Sequence, residues 1–180
     1  MTDTLAPLLV KWLTHDFATP IATVMTASEL LGDVADAEIN GLVADAAKRL
    51  GGRLQLVRAA MAPGSGPMGA AGLEKLLRGG LDDTPLTFAI AVDHVSDGAH
   101  AAVIACAAML LADLRRGQPL TIAAARIDWA TPAAFSDAVA AALAGGPATD
   151  SRSAVAEMLV GVTTRAGLAL TATETGLAWA

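Results

Sequence analysis

From Leu5 to Leu31 the apolar residues Leu5, Leu9, Trp12, Leu13, Val24, Ala27 and Leu31 recur at steps of three, four and seven, the period of a helix rather than of a strand. This spacing predicts one long helix. Pro20 lies inside it and removes a backbone donor, so a kink or loosened turn is expected there. Gly32-Asp33 ends the run, and a second helical pattern follows from about Ala35 to Met61, with Ile39, Leu42, Val43, Ala46, Leu50, Leu54 and Val57 on one side. The two form a hairpin that turns near residues 33 to 35. Two helices alone cannot bury both apolar stripes, so another pair is needed, most simply from a second copy of the chain, giving a four-helix bundle in a homodimer.

Pro63-Gly64-Ser65-Gly66-Pro67-Met68-Gly69 is the sharpest break in the pattern, rich in residues that resist both regular structures. Its Gly-x-Gly-x-x-Gly spacing follows a helix and contains a proline, so the strand-turn-helix context of a dinucleotide site is missing. Beyond it short elements alternate. A helix is expected from about Gly72 to Arg78, a strand from Leu86 to Val92, a helix from Ala99 to Leu114 and a strand from Leu120 to Ala125. Helices from Pro132 to Leu143 and from Ser153 to Ala166 and a strand from Leu168 to Thr173 complete the pattern. The expected fold class is therefore α+β: a helical hairpin over 1–62, a linker over 63–71, and a small α/β sandwich with helices on a sheet over 72–180.

Composition narrows the function classes. The 180 residues include 42 alanines, which lift the hydrophobic share to 54%, yet Pro, Gly or a charge interrupts each rich stretch before an 18-residue apolar span can form. No membrane span is expected, no basic cluster precedes an apolar segment at the start, and the default location is cytoplasmic. Eighteen acidic residues outnumber twelve basic ones, and no Lys/Arg block exceeds Arg115-Arg116. That balance is the wrong footprint for nucleic acid. The single cysteine, Cys106, sits in an Ala-rich run and reads as a small buried residue.

The candidate chemistry is concentrated in His15-Asp16-Phe17-Ala18-Thr19-Pro20. A wheel at about 100° per residue sets His15 to one side of the apolar stripe, with Lys11, Thr19, Ala22, Thr26 and Glu29, so its ring should face solvent beside the bundle seam. An imidazole in water presents a neutral ring nitrogen as a nucleophile at pH 7. Attack on a phosphoryl group would yield a phosphohistidine. Asp16 could orient the ring, Thr19 could hydrogen-bond near the incoming phosphate, and Lys11 could offset its charge. The plain alternative is a polar residue on an exposed helix face. With the hairpin turn near 33 to 35, residue 15 falls opposite residue 54, which brings Arg53 near the phosphohistidine or an incoming partner; a merely solvated arginine is the other reading.

The hexapeptide resembles the phosphoacceptor helix of histidine-kinase dimerisation domains, His-[Asp/Glu]-x-x-[Ser/Thr/Asn]-Pro, at every specified position. Together with Leu13-Thr14, Glu29-Leu30-Leu31 and Arg53-Leu54-Gln55-Leu56-Val57-Arg58, it is similar to the ChpT-like alphaproteobacterial histidine phosphotransferases. That resemblance implies a dimerising hairpin followed by a degenerate kinase-ATPase-like domain. The motif match puts His15, Asp16 and Thr19 forward as the phosphotransfer residues, and the helix wheel and hairpin register put Lys11, Ala22 and Arg53 forward as the expected partner-binding face. The partners implied are the receiver domain of a hybrid histidine kinase and a response regulator. No cofactor is implied, since the receiver supplies the Mg2+. An adaptor of the same fold that binds receivers without carrying phosphate is the alternative. The chain's one asparagine, Asn40, lies in the hairpin, and Asp97-Gly98-Ala99-His100 keeps only a fragment of an adenine loop, so autophosphorylation from ATP is not expected.

Other residues carry less. His94 and His100 lack a Cys or a further spaced His, Asp82-Asp83 before Thr84-Pro85 reads as a turn, and Trp129 and Trp179 read as packing residues.

Overall fold

The two apolar stripes become α1 (Leu5–Leu30) and α2 (Ala37–Met61) in a computed structural model that describes residues 4–30, 37–61 and 66–180. The expected hairpin turn near 33 to 35 and the first part of the linker, 63–65, lie outside the described residues. Helix α1 continues through Pro20.

The remaining elements are β1 (Met68–Gly69), α3 (Ala70–Gly80), β2 (Leu86–Phe88), β3 (Val95–Ser96), α4 (Gly98–Leu114), β4 (Leu120–Ala123) and β5 (Arg126–Trp129), then α5 (Asp137–Leu143), α6 (Ser151–Arg165), β6 (Leu170–Ala172) and β7 (Gly176–Trp179). Five strands form a mixed sheet in the order β2-β4-β5-β7-β6, with β2 and β4 parallel and the other pairs antiparallel. A separate antiparallel ribbon joins β1 to β3. The expected α+β class thus holds, with local corrections. The strand expected to reach Val92 stops at Phe88, opposite Ile122, with one last bond from the Ala89 amide to the Ile122 carbonyl; the chain then bends, and β3 pairs with β1. The segment read as linker ends in β1, and α3 starts at Ala70 rather than Gly72. The helix expected from Pro132 begins only at Asp137.

Helix α4 is the centre of the molecule. Every residue from Ala101 to Ala112 is buried, and the helix packs on α2, α6, β4 and β5 at once. A helix apolar all round belongs in such a position, and its alanines let neighbours approach closely. Cys106 lies in this run with its thiol pushed up to about 12 by desolvation. The main core is continuous from Trp12, Leu56 and Val57 of the hairpin through Leu73, Leu77, Ile104 and Leu110 to Ile127, Leu159 and Leu177. The base of the hairpin therefore shares its interior with the α/β layer. Helix α2 meets α3 almost backbone to backbone: a β-carbon on Gly52 would overlap the Gly79 carbonyl, and one on Gly80 would meet Leu56. Asp150 accepts from the Ser153 amide while the Ser153 hydroxyl accepts from the Asp150 amide, a reciprocal cap that starts α6.

Candidate functional site at the hairpin and α/β junction

One turn of α1 sorts its side chains by depth. Trp12 is 5% exposed and belongs to the core, whereas His15 and Thr19 are exposed. Residues three, four and seven apart share one face of a helix, so the split is made by what covers each side chain: Trp12 lies against the Arg53 guanidinium and faces Asp113 of α4. Asp16 turns toward α2, where its Oδ2 accepts from Nε of Arg53 at 2.5 Å. This contact follows the hairpin register expected from the sequence.

His15, Asp16, Thr19 and Thr23 form one wall of a cleft of about 340 Å³. Asp45, Arg49 and Arg53 of α2 form its floor, and the far wall comes from the α/β layer: Asp82 and Asp83 after α3, with Asp113 and Arg116 at the end of α4. Each lining arginine is ion-paired, Arg53 with Asp16, Arg49 with Asp82 at 2.8 Å, and Arg116 with Asp113 at 3.4 Å. Asp45 and Asp83 add negative charge, so carboxylates outnumber arginines along the cleft; the Arg53 pair is largely buried, whereas Arg49 and Arg116 are 69% and 60% exposed in theirs.

The sequence-predicted residues separate here. His15, Asp16, Thr19 and Arg53 meet in the cleft, while Lys11 and Ala22 are exposed on α1 but do not line it. Among the described residues the bonds of Asp16 run to Arg53 rather than to the His15 ring, a different engagement from the expected one. Sequence reasoning passed over Arg49, Asp113 and Arg116, whose importance depends on a tertiary junction. Trp12 was seen as core but not as a donor; its Nε1 reaches Oδ2 of Asp113 at 3.2 Å. His94 and His100 are spent on the fold: the His94 Nε2 faces the Ser96 hydroxyl at 3.1 Å, and the His100 Nε2 faces the Ala124 carbonyl at 2.7 Å, which also accepts from Trp179. Among the described residues no helix is long and apolar enough to cross a membrane.

No protein-family model and no curated protein matches the chain. Among solved structures, it is similar to a histidine kinase, AdeS, of Acinetobacter baumannii, at 10% identity over 92% of this chain and 94% of that one, with a TM-score of 0.43, too low to bear on the fold. It is also similar to a bacterial phosphotransferase, at 16% identity over 99% of this chain and 96% of that one, with a TM-score of 0.73. Hairpin and α/β layer together thus have the fold of that phosphotransferase.

Proposed function

We propose that the protein is a histidine phosphotransfer protein that shuttles a phosphoryl group between receiver-domain aspartates through His15, without ATP-dependent autophosphorylation. One observation carries this reading: an exposed imidazole stands at the lip of a cleft whose walls belong to both parts of the chain. A receiver's acyl phosphate would be attacked by a neutral ring nitrogen of His15. The nitrogen–phosphorus bond forms as the phosphorus–oxygen bond to the aspartate breaks, the carboxylate leaves, and the remaining ring proton passes to water; the reverse step loads the next receiver. The excess of carboxylates over arginines in the cleft, with Arg53 held by Asp16, supports a division of labour in which the visiting receiver brings the divalent metal that balances phosphoryl charge. His15 lines the same cleft as Asp83 and Arg116, so in this reading the α/β layer offers a docking wall to the receiver.

Dimerisation belongs to the same proposal. Val10, Ile21 and Met25 are 60%, 44% and 59% exposed, and they lie roughly 80–140° round α1 from His15. Leu54 and Met61 of α2 are also exposed. A second copy packed on this face closes a four-helix bundle and leaves both histidines open. The fold of a bacterial phosphotransferase lends support. The test is incubation with a phosphorylated receiver: phosphate stable to alkali and labile to acid is expected on the wild type and absent from His15→Ala. Labelling unaffected by that substitution overturns the proposal, and receiver binding without any label points to the adaptor instead.

A further inference from the structure

Resting on the phosphotransfer reading, we infer that Asp16 and Arg53 act as one positioning unit, which fixes the turn of α1 bearing His15 against the α/β layer without either group touching the phosphoryl group. The turn needs such a tether. Pro20 has no N–H to give the Asp16 carbonyl, so the helix is short of a hydrogen bond immediately after His15. The Asp16 side chain replaces that hold from outside the helix.

Arg53 is committed on several sides. Its Nε donates to Asp16 at 2.5 Å, an NH1 proton goes to the Gly80 carbonyl at 3.3 Å, and its guanidinium carbon lies 5.4 Å from the centre of the Trp12 ring. The Gly80 carbonyl ends α3, where the last carbonyls lack helical partners and a cation is favoured. Trp12 carries the link on to Asp113 of α4. One guanidinium thereby joins α1, α2 and α3 directly, and α4 through the indole, at the height of His15. The side chains of Arg53 and Asp16 are only 15% and 14% exposed, so swinging the arginine onto a phosphate would strand a largely buried carboxylate. The contact of Gly52 with Gly79 sets the short reach from Arg53 to Gly80.

The test compares Asp16→Asn, Arg53→Gln, the double variant and Arg53→Lys, using phosphoramidate, which needs no docking, and a phosphorylated receiver. Each single change is expected to slow labelling of His15 from both donors roughly ten- to a hundredfold, through misplacement of the ring. The double variant should be no slower than the slower single one, because the residues act as a unit. Lysine should not rescue, since one ammonium cannot span both acceptors in the arginine's fork geometry. The pH midpoint of labelling should stay in place in Asp16→Asn. Multiplying effects, a large loss in Arg53→Gln beside a normal Asp16→Asn, or a moved midpoint each overturn the inference; the last would make Asp16 a proton partner of the ring. Amide hydrogen exchange over residues 15–22 gives a readout independent of phosphate. It should quicken in both single variants, and unchanged exchange contradicts the tether even if the wild type never takes a label.

Discussion

Gly52→Ala probes the junction that frames the cleft. In an open helix the change would stabilise by about 1 kcal/mol, because alanine is the better helix former. At this position the new β-carbon would overlap the Gly79 carbonyl oxygen, lie 2.6 Å from its carbon and 3.3 Å from the Gly79 Cα. No side-chain rotation relieves a clash between two backbones, so α2 and α3 must separate, and overpacking of this kind costs about 1–3 kcal/mol. Separation also stretches the charge-assisted bond from Arg53 to Gly80, already 3.3 Å long, at a further cost of about 1.5–3 kcal/mol if it breaks. With the helix-propensity gain set against these costs, the net expectation is a loss of about 1.5–5 kcal/mol when the bond breaks and about 0–2 kcal/mol when it survives, at roughly 2–4 °C in melting temperature per kcal/mol for a chain of this length. Gly51→Ala is the internal control: a β-carbon there meets nothing within 4 Å, so the same propensity gain should raise the melting temperature by about 2–4 °C. Thermal melts followed by circular dichroism at one fixed protein concentration measure both. If Gly52→Ala melts as high as Gly51→Ala, the close approach of α2 to α3 is wrong, and the short reach of Arg53 goes with it.

Three other outcomes are expected. Cys106, buried and with its thiol pushed up to about 12, should resist thiol reagents in the folded protein and react at once in denaturant; fast labelling in native buffer refutes the placement of α4. Asp150 is held below the usual carboxylate range, chiefly by the backbone N–H of Ser153, so its stabilisation is full above about pH 4 and drains as pH falls through the lowered value. Asp150→Ala should accordingly cost about 1 kcal/mol near neutrality, with the gap to wild type closing in acid melts; a gap that widens in acid reverses the sign. If the proposed dimer forms, Ile21→Glu with Met25→Glu should shift it to monomers in sedimentation velocity while leaving the helical signal intact; a wild type that sediments as a monomer, or a dimer unchanged by the pair, removes that face from the bundle seam.

Residue patterns predicted the architecture where one physical signal dominated. The helical period of the first 61 residues gave both long helices, and the Ala-rich run gave α4, because a helix buried on all sides needs no polar face. Strand β5 was missed although Arg126-Ile127-Asp128-Trp129 alternates polar and apolar; Ala123-Ala124-Ala125 hid the tight turn that separates it from β4. Strand β7 escaped for a similar reason, since Gly176 and Ala178 leave only Leu177 and Trp179 to mark a face. At the site, local spacing sufficed to expose His15 and to bring Arg53 across from it. The partner of Asp16 was not legible from its own helix, where a carboxylate next to a histidine suggests contact with the ring; only the packing of α2 against α1 shows the guanidinium. The far wall, from Asp82 to Arg116, depends on two loops distant in sequence.

The chain has three histidines, so imidazole nitrogen resonances from histidine-labelled protein can be read one residue at a time. After treatment with a phosphorylated receiver, the ring signals of His15 are expected to shift to those of a phosphorylated imidazole while His94 and His100 keep their hydrogen-bonded positions. Phosphate found on either of those rings, or on no ring while a carboxylate carries it, contradicts the role given to His15.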